Sequence, residues 1–261
     1  MLETIANIKK DYIKNLLDNG KRVDGRGLDD YRELKIETGI YENAEGSALV
    51  TMGDTKVAAG VKMIMGEPYS DMPDRGVLTT SAELPPLASP SFESGPPRPP
   101  AIELARVVDR GIRESGSIDT AKLCVIEGEK VWIVFLDIHV LDYGGNLFDA
   151  STLACMAALN EAKMPKIDDE GKVIYSEKTG PLPIVEQPIS TTFAKIGNTI
   201  IADPSLEEEQ ILDTRLTVTT TSKGEICAMQ KGVSGTFTQE EVLNTIDRGI
   251  KKAKELRKLV K

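Results

Sequence analysis

One continuous stretch, residues 131–163, constrains the fold of this chain more than any other. It begins with VWIVFLDIHVL, an apolar and β-branched run typical of a buried central strand. Gly144 and Gly145 follow, where the chain can turn tightly, and Asp149 is then predicted to cap a helix that ends at Pro165. The predicted buried face of this helix consists of Leu153, Met156, Ala157 and Met164. A strand, a glycine turn and a helix N-terminus together can bind an anion, but many α/β proteins use the same unit for packing alone, and the pattern by itself favours packing.

Length, cysteine content and hydropathy limit the class of protein. With 261 residues, the chain is long enough for one large domain or two small ones, and a fold of this size buries roughly 70–75% of its unfolded surface. Cys124, Cys155 and Cys227 match neither a metal-binding spacing nor CxxC, which predicts reduced core residues of a cytoplasmic protein. The N-terminal sequence lacks the apolar core of a signal peptide, and no apolar run approaches the roughly 20 residues that span a bilayer. We therefore expect a cytoplasmic protein with no membrane partner, metal or cofactor.

The remaining patterns predict hairpins that alternate with a few helices. Residues 1–20 are predicted to form a helix, whose apolar face would consist of Leu2, Ile5, Tyr12 and Leu16. Strands are predicted at residues 32–41, 47–52, 55–61, 122–126, 131–141, 191–195, 198–202, 216–221 and 225–230. A last helix follows the capping box of Thr238 and Glu241. The sequence therefore predicts an α+β fold with mixed sheets in two halves, residues 21–164 and 188–261, joined by a polar connection at residues 165–187.

A helix predicted over residues 101–115 carries a stripe of arginines. Arg106, Arg110 and Arg113 recur at i, i+4 and i+7, whereas Ile102, Ala105, Val108 and Ile112 are predicted to face inward. The net charge of −9 argues against nonspecific coating of nucleic acid but leaves room for a local basic stripe. The alternative is a solvated face, with Glu103 and Asp109 as local ion-pair partners, and the pattern alone favours that alternative.

Three further features have both a structural and a functional interpretation. The charged turn at residues 21–26 is predicted as a solvated loop, with phosphate binding as the alternative. Residues 85–100 contain seven prolines, which predicts an irregular segment that covers an edge or builds an interface. His139, the only histidine, alternates with apolar neighbours and is predicted to be a core residue rather than a catalyst, since no second histidine or suitable cysteine completes a relay.

Taken in order, several of these stretches resemble the RNase PH family, and most of all its non-catalytic members in the archaeal exosome core. The stretches that carry the resemblance are RVDGR, GSALVTMGDTKVAAGVK, LASPSFESGPPRPPAIELARVVDRGIRES, LDYGGNLFDAS, DPSLEEEQILDTRLTV and ICAMQKG. They run from about residue 21 to the last helix, and their order makes the set specific although RVDGR alone is weak. The resemblance implies an RNase PH-like α+β fold of two pseudo-repeated halves.

The chain departs from the phosphorolytic members of that family where they bind inorganic phosphate. Those members place a small hydroxyl residue and an arginine just after the turn that ends the central strand, and here these positions correspond to Asn146 and Leu147. They also carry an arginine pair before the first helix of the motif, where this chain has Pro99 and Pro100, with Arg98 as the nearest cation. Each charge-assisted hydrogen bond to phosphate contributes roughly 1.5–3 kcal/mol, so the resemblance implies a site that does not hold the anion.

Asp213 corresponds to a catalytic acidic residue of the active relatives, and Glu207 precedes it by six positions. A carboxylate pair can bind a divalent ion or protonate a leaving group, but without a phosphate it has no nucleophile to assist. We therefore expect no catalytic and no metal-binding residues.

The resemblance implies a ring subunit that binds and positions RNA. Its partners would be a catalytic RNase PH-like exosome subunit, alternating with it in a hetero-hexameric ring, RNA-binding cap subunits and single-stranded RNA. Within that hypothesis the RNA-binding residues are Arg106, Arg110 and Arg113. The alternative is a 3′-to-5′ phosphorolytic exoribonuclease that acts alone through Asp213. A small-molecule enzyme is a third reading, but the chain lacks a nucleotide-binding loop such as GxxxxGK[ST].

Overall fold

The computed structural model describes residues 2–168 and 170–260, with side chains from Lys9 onward. Its larger sheet has six strands in the order β1-β2-β3-β6-β4, and β5 pairs with one end of β6. The strands are β1 Leu34–Thr38, β2 Gly46–Met52, β3 Thr55–Gly66, β4 Val77–Glu83, β5 Cys124–Ile126 and β6 Lys130–Asp142. All neighbours are antiparallel except β4 and β6, which run parallel, so this is the mixed sheet that the sequence predicts.

Helix α3, Leu147–Glu161, packs on this sheet and forms the centre of the main core. It is buried almost all round because it lies between the two sheets, in contact with β2 and β3 on one side and with the second sheet on the other. The approach is closest at Gly46, where a Cβ atom would lie 2.3 Å from the carbonyl oxygen of Ala158. Helix α2, Pro99–Glu114, packs against β4 and α3.

The second sheet has four antiparallel strands in the order β10-β9-β11-β12. They are β9 Ile189–Ile196, β10 Thr199–Ala202, β11 Thr214–Thr220 and β12 Ile226–Gly232. Helix α5, Gln239–Leu256, packs on β9 and β11. Helix α1, Leu2–Asp18, forms a small second core with this half through Ile13 and Leu17. A short helix α4, Leu206–Glu209, follows β10.

Local patterns predicted much of this arrangement. The hairpin of β2 and β3 around Gly53 is confirmed, as are the hairpins of β9 with β10 and of β11 with β12. The capping box of Thr238 and Glu241 starts α5 as expected. Helix α2 begins two residues earlier than predicted: Pro99 and Pro100, expected in the irregular segment, form its first turn, because proline is tolerated where the N–H groups have no helical partner.

Four predictions at element level were wrong. Asn146, not Asp149, caps α3, and Met164 and Pro165 belong to a strand, β7. That strand, Lys163–Ile167, pairs with β8, Val173–Pro181, so the connection predicted at residues 165–187 contains a hairpin that the sequence did not indicate. In α1, Tyr12 is 62% exposed and Ile13 and Leu17 form the buried face, while the side chains of Leu2 and Ile5 lie outside the described residues. Ile102 of α2 is exposed rather than inward-facing.

His139 is not a core residue. The two faces of β6 differ: Val134, Leu136, Ile138 and Val140 are buried, whereas His139 lies on the opposite face and is exposed. Its Nδ1 lies 3.3 Å from a carboxylate oxygen of Glu83 on the neighbouring strand. Of the cysteines, only Cys155 is fully buried; Cys124 and Cys227 are partly buried thiols. None of the described helices is both long and apolar enough to cross a membrane.

Candidate functional site

The glycine turn after β6 joins the two halves of the molecule. Gly145 has a φ of 101°, which only glycine adopts readily, and a Cβ atom there would lie 2.6 Å from backbone atoms of Pro204 and Leu206. The Leu206 N–H also donates a 2.9 Å hydrogen bond to the carbonyl of Gly144. The acidic segment of residues 203–209 therefore packs directly on the turn, which agrees with the packing role that the sequence pattern favoured over an anion site.

Asp203 is the centre of a charge network beneath this turn. Its carboxylate is fully buried and accepts hydrogen bonds from Arg32 Nη2 at 2.7 Å, Arg26 Nη1 at 2.8 Å and Asn146 Nδ2 at 2.8 Å. Burial alone would raise the pKa of Asp203, but the hydrogen bonds and charge of Arg32, helped by Asn146, hold it below the usual range. Arg32 also donates to the carbonyls of Gly144 and Gly145, so one guanidinium fixes both the acid and the turn.

A buried ion pair lies beside this network. Arg22 donates from Nε and Nη2 to the two oxygens of the Glu208 carboxylate, at 2.9 and 2.5 Å, and both side chains are almost inaccessible to solvent. Arg22 also donates to the carbonyls of Ala202 and Asp203. The turn at residues 21–26 is therefore not simply a solvated loop, and its Arg22 and Arg26 bind carboxylates of the chain rather than phosphate.

Asp149, in the first turn of α3, is a buried carboxylate whose hydrogen-bond donors are neutral groups rather than arginines. Its carboxylate accepts hydrogen bonds from the Tyr31 hydroxyl at 2.7 Å, the Thr192 N–H at 2.9 Å and hydroxyl at 2.7 Å, and Asn146 Nδ2 at 2.8 Å. No described arginine pairs with it, so burial dominates and raises its pKa to about 6. The carboxylate joins α3 to β9 and to the loop before β1.

Glu209 contacts the turn directly. Its carboxylate accepts a 2.9 Å hydrogen bond from the backbone N–H of Asn146 and a 2.7 Å bond from the Tyr143 hydroxyl. Burial raises the pKa of Glu209, although these donors and the nearby charges of Arg215 and Arg32 favour its ionised form. The carboxylate group thus sits where an anion would approach the N-terminus of α3.

Leu147 lies next to Glu209 and lines a small, mainly apolar cavity of about 90 Å³. Arg215 lines the same cavity: its guanidinium stacks 4.1 Å from the centre of the Phe148 ring and pairs with Glu103 at 2.9 Å. Arg215, which binds neither Asp203 nor Glu208, is thus partly neutralised by the carboxylate of Glu103. Arg98 is exposed and pairs with Glu93, so it does not supply the missing charge.

Asp213 and Glu207 do not form a carboxylate pair. Asp213 accepts a 2.7 Å hydrogen bond from the N–H of Gly197 and lies 3.6 Å from Lys10 of α1. Glu207 pairs with Lys9, one residue earlier on the same helix, at 2.6 Å. Both acids therefore hold α1 against the second half. In the described part of the chain, no cluster of three or more His, Cys, Asp or Glu side chains is arranged to hold a metal ion.

The three arginines on α2 differ in whether they form ion pairs with carboxylates of the described chain. Arg113 pairs with Asp109 at 3.1 Å and with Glu114 at 3.6 Å, and the first of these is the pair that the helical spacing predicts. Glu103 pairs with Arg215 instead of Arg106. Within residues 9–168 and 170–260, no carboxylate forms an ion pair with Arg106 or Arg110.

Arg106 and Arg110 line an open groove of about 370 Å³ between α2 and β12, together with Pro99, Ile102, Glu103, Val107 and Gln230. Sequence reasoning found these two arginines, but it missed Arg32, Asp203 and Glu209. The local signals for the acids of that second group were the acidic run of residues 203–209 and the capping box of Ser205 and Glu208, and neither indicates which groups the acids contact.

The mixed sheet and the antiparallel sheet pack on either side of α3, and a buried arginine–carboxylate network joins the two halves at the start of that helix. This arrangement defines an RNase PH-like α+β fold. The chain belongs to the RNase PH family: the 3′ exoribonuclease family, domain 1, matches residues 30–165, and domain 2 of the same family matches residues 186–252.

Similar proteins cover nearly the whole chain. The exosome complex component Rrp42 of Thermococcus gammatolerans is 53% identical over 99% of this chain and 96% of its own length. The protein of the same name from Methanopyrus kandleri is 50% identical over 100% and 98% of the two chains. A chain in the structure described as the Archaeoglobus fulgidus exosome with RNA bound to the active site superposes with a TM-score of 0.92, at 48% identity over 99% of this chain and all of that one. A chain of an archaeal exosome core superposes with a TM-score of 0.87 at 45% identity, over 98% and 97% of the two chains.

Proposed function

We propose that this chain is a non-catalytic subunit of an exosome core ring. It pairs with a catalytic RNase PH-like subunit, alternates with it in a hetero-hexamer, and helps to bind and position single-stranded RNA for 3′-to-5′ phosphorolysis. The ring would act in the cytoplasm and carry RNA-binding cap subunits. The naming of relatives at 50–53% identity as exosome components supports membership of such a complex.

The observation that carries the non-catalytic role is the chemistry of the glycine turn. Asn146 and Leu147 stand where a phosphate would need a hydroxyl and a cation, and the Asn146 N–H is already bound to Glu209. Arg22, Arg26 and Arg32 bind internal carboxylates. An attacking phosphate would therefore meet a carboxylate and an apolar side chain, and a helix N-terminus alone contributes only about 0.3–1 kcal/mol.

The RNA-binding role rests on the groove beside α2. Arg106 and Arg110 have guanidinium groups without a carboxylate partner in the described chain, and guanidinium groups bind phosphodiesters with strong hydrogen bonds. Arg113 extends the stripe, but Asp109 and Glu114 compete for it. We assign the main backbone contacts to Arg106 and Arg110, with Arg113 as a weaker third. Positioning of this kind can lower a reaction barrier by several kcal/mol without contributing a reacting group.

The alternative is an exoribonuclease that acts alone through Asp213. That residue contacts Gly197 and Lys10, and its partners do not overlap with those of Glu209 or Asn146. The geometry favours the binding subunit.

The experiment is phosphate-dependent release of nucleoside diphosphates from single-stranded RNA. It is run on this chain, on a catalytic RNase PH-like subunit co-purified from the native source, and on their mixture. We expect no release by this chain alone and faster release by the mixture than by the partner. Asp213→Asn in the mixture should leave the rate within about twofold. Release by this chain alone, abolished by that substitution, would make it an enzyme.

A further inference from the structure

Three lysines near the C-terminal end of α5 form a row on its exposed side. Lys251, Lys254 and Lys258 recur at i, i+3 and i+7, so they lie on one side of α5 and of the single 3₁₀ turn, Arg257–Leu259, that follows it. All three are exposed. Within residues 9–168 and 170–260, none of them forms an ion pair or a side-chain hydrogen bond. Their charges therefore remain available to an external ligand.

The other described cations of this segment differ, because each has a partner inside the chain. Arg248 pairs with Asp29, Lys252 pairs with Glu255, and Arg257 donates to the carbonyls of Gln187 and Thr220. The segment thus divides its cations into those that hold the fold together and those of the exposed row.

A fourth lysine comes from the second sheet. The turn between β11 and β12 packs on α5, because a Cβ atom at Gly224 would lie 3.3 Å from Cγ2 of Ile250. Ile250 and Lys254 are one helical turn apart on the same side, which brings this turn next to the row. Lys223, the neighbour of Gly224, is exposed and forms no ion pair with the described residues. We call Lys223 and the three lysines of the row the lysine patch.

The lysine patch and the groove beside α2 lie on opposite sides of the second sheet. A Cβ atom at Gly111 of α2 would meet the side chain of Thr219, whereas one at Gly249 of α5 would meet Cβ of Val218. Successive residues of a strand point to opposite faces, so α2 and α5 cover opposite faces of β11. The patch is therefore a surface separate from the groove.

From this arrangement, we propose that the lysine patch is a second contact surface for the backbone of single-stranded RNA. Ammonium groups neutralise phosphates as point charges without reading the bases, so this contact has no sequence preference. Seven helical residues separate the ends of the row, about 10 Å, which matches roughly three phosphates at about 3.4 Å each. This inference rests on the proposed RNA-binding role and extends it beyond the groove.

The composition of the patch favours RNA over an acidic protein segment. Lysine is depleted in protein interfaces, where aromatic residues, methionine and arginine are enriched. Contacts from lysine to phosphate are, by contrast, a main source of nonspecific affinity for nucleic acid. The chain has a net charge of −9, so such attraction has to come from a local concentration of cations.

The test is RNA binding by an assembled ring that contains the full chain. The first variant combines Lys251→Gln, Lys254→Gln and Lys258→Gln, which removes three charges and keeps polar side chains. The second replaces the same lysines with arginine and keeps the charge. The matched control replaces with glutamine three exposed lysines that already pair with acids, Lys35, Lys122 and Lys166. Fluorescence anisotropy of a labelled single-stranded RNA is measured across a salt series, after circular dichroism and size-exclusion chromatography have checked folding and assembly.

We expect the glutamine variant to lower the slope of log affinity against log salt by about 2, at about 0.7 for each phosphate contact. Between about 50 and 200 mM salt, the ratio of wild-type to variant dissociation constants then changes roughly 18-fold. The arginine variant should keep the wild-type slope, and the control should change it by less than one contact.

Three results would overturn the proposal. One is an unchanged slope in a folded and assembled glutamine variant, and another is an equal change in the control, which would indicate general electrostatics. The third is loss of assembly by the glutamine variant while the control assembles, because the patch would then bind a protein partner.

The result can be separated from a failure of the proposed function. Arg106→Ala with Arg110→Ala changes only the groove. If this double variant keeps the wild-type slope while the lysine variant lowers it, the groove assignment fails and the lysine patch stands. If both lower the slope and their effects add in a combined variant, both surfaces contact RNA independently.

Discussion

Replacing Arg106 and Arg110 together with alanine should lower the salt dependence of RNA binding by an assembled ring. Each phosphate contact on single-stranded RNA contributes about 0.7 to the slope of log affinity against log salt. Two guanidinium groups without a carboxylate partner in the described chain should therefore lower the slope by about 1.4. The third, Arg113, should add less than another 0.7, because Asp109 already holds it at 3.1 Å.

The consequence is large enough to measure. Between about 50 and 200 mM salt, a slope difference of 1.4 changes the ratio of wild-type to variant dissociation constants by about sevenfold. The assay is fluorescence anisotropy of a labelled single-stranded RNA across that salt series, with intact assembly checked by size-exclusion chromatography. Arg113→Ala is the matched control, since it removes the same side chain from the same helix and should change the slope less. An unchanged slope for the double variant in an intact ring, or an equal change for Arg113→Ala, would refute the reasoning.

Three further predictions concern stability and assembly. Arg22→Met should lower the free energy of unfolding, measured by urea titration, by roughly 3–5 kcal/mol, because Glu208 stays buried without its partner. The double variant Arg22→Met with Glu208→Leu should lose less stability, and an equal loss in both variants would contradict the role of the pair. Burial raises the pKa of Asp149 to about 6, so between about pH 4 and 6 the folded state binds a proton that the unfolded state does not. The stability from this group is therefore lost as the pH rises through 6, by about 3 kcal/mol in total. Asp149→Asn should remove this pH dependence of the free energy of unfolding, and an unaltered pH dependence would contradict the assignment. The proline-rich segment of residues 85–100 is exposed over residues 93–100 and is anchored where Phe92 stacks on Tyr143. A protease should cut this segment more slowly in the assembly than in the isolated chain, and equal rates would contradict the interface hypothesis.

The sequence by itself determined the elements whose signals lie within a few residues. The hairpin around Gly53 follows from alternating residues that flank a tight turn, and the start of α5 follows from the capping box of Thr238 and Glu241. The same is true of the Asp109–Arg113 pair, which depends only on helical spacing. The sequence also showed that the phosphate-binding side chains of the active relatives are missing, because neither Asn146 nor Leu147 carries a hydroxyl or a positive charge.

Only the tertiary structure decided how the charged and polar groups are paired. Arg22 and Glu208 are 186 positions apart, and nothing in either local sequence selects the other. His139 has apolar neighbours in sequence, yet it is exposed because only the opposite face of β6 is covered by α3. Glu209 is one acid in a run of three, and it ligates the turn because β10 and Gly145 bring that run against the start of α3. Local spacing fixes backbone conformation, whereas burial, pKa and ion-pair partners depend on which distant surfaces meet, and that is settled only when the two halves pack.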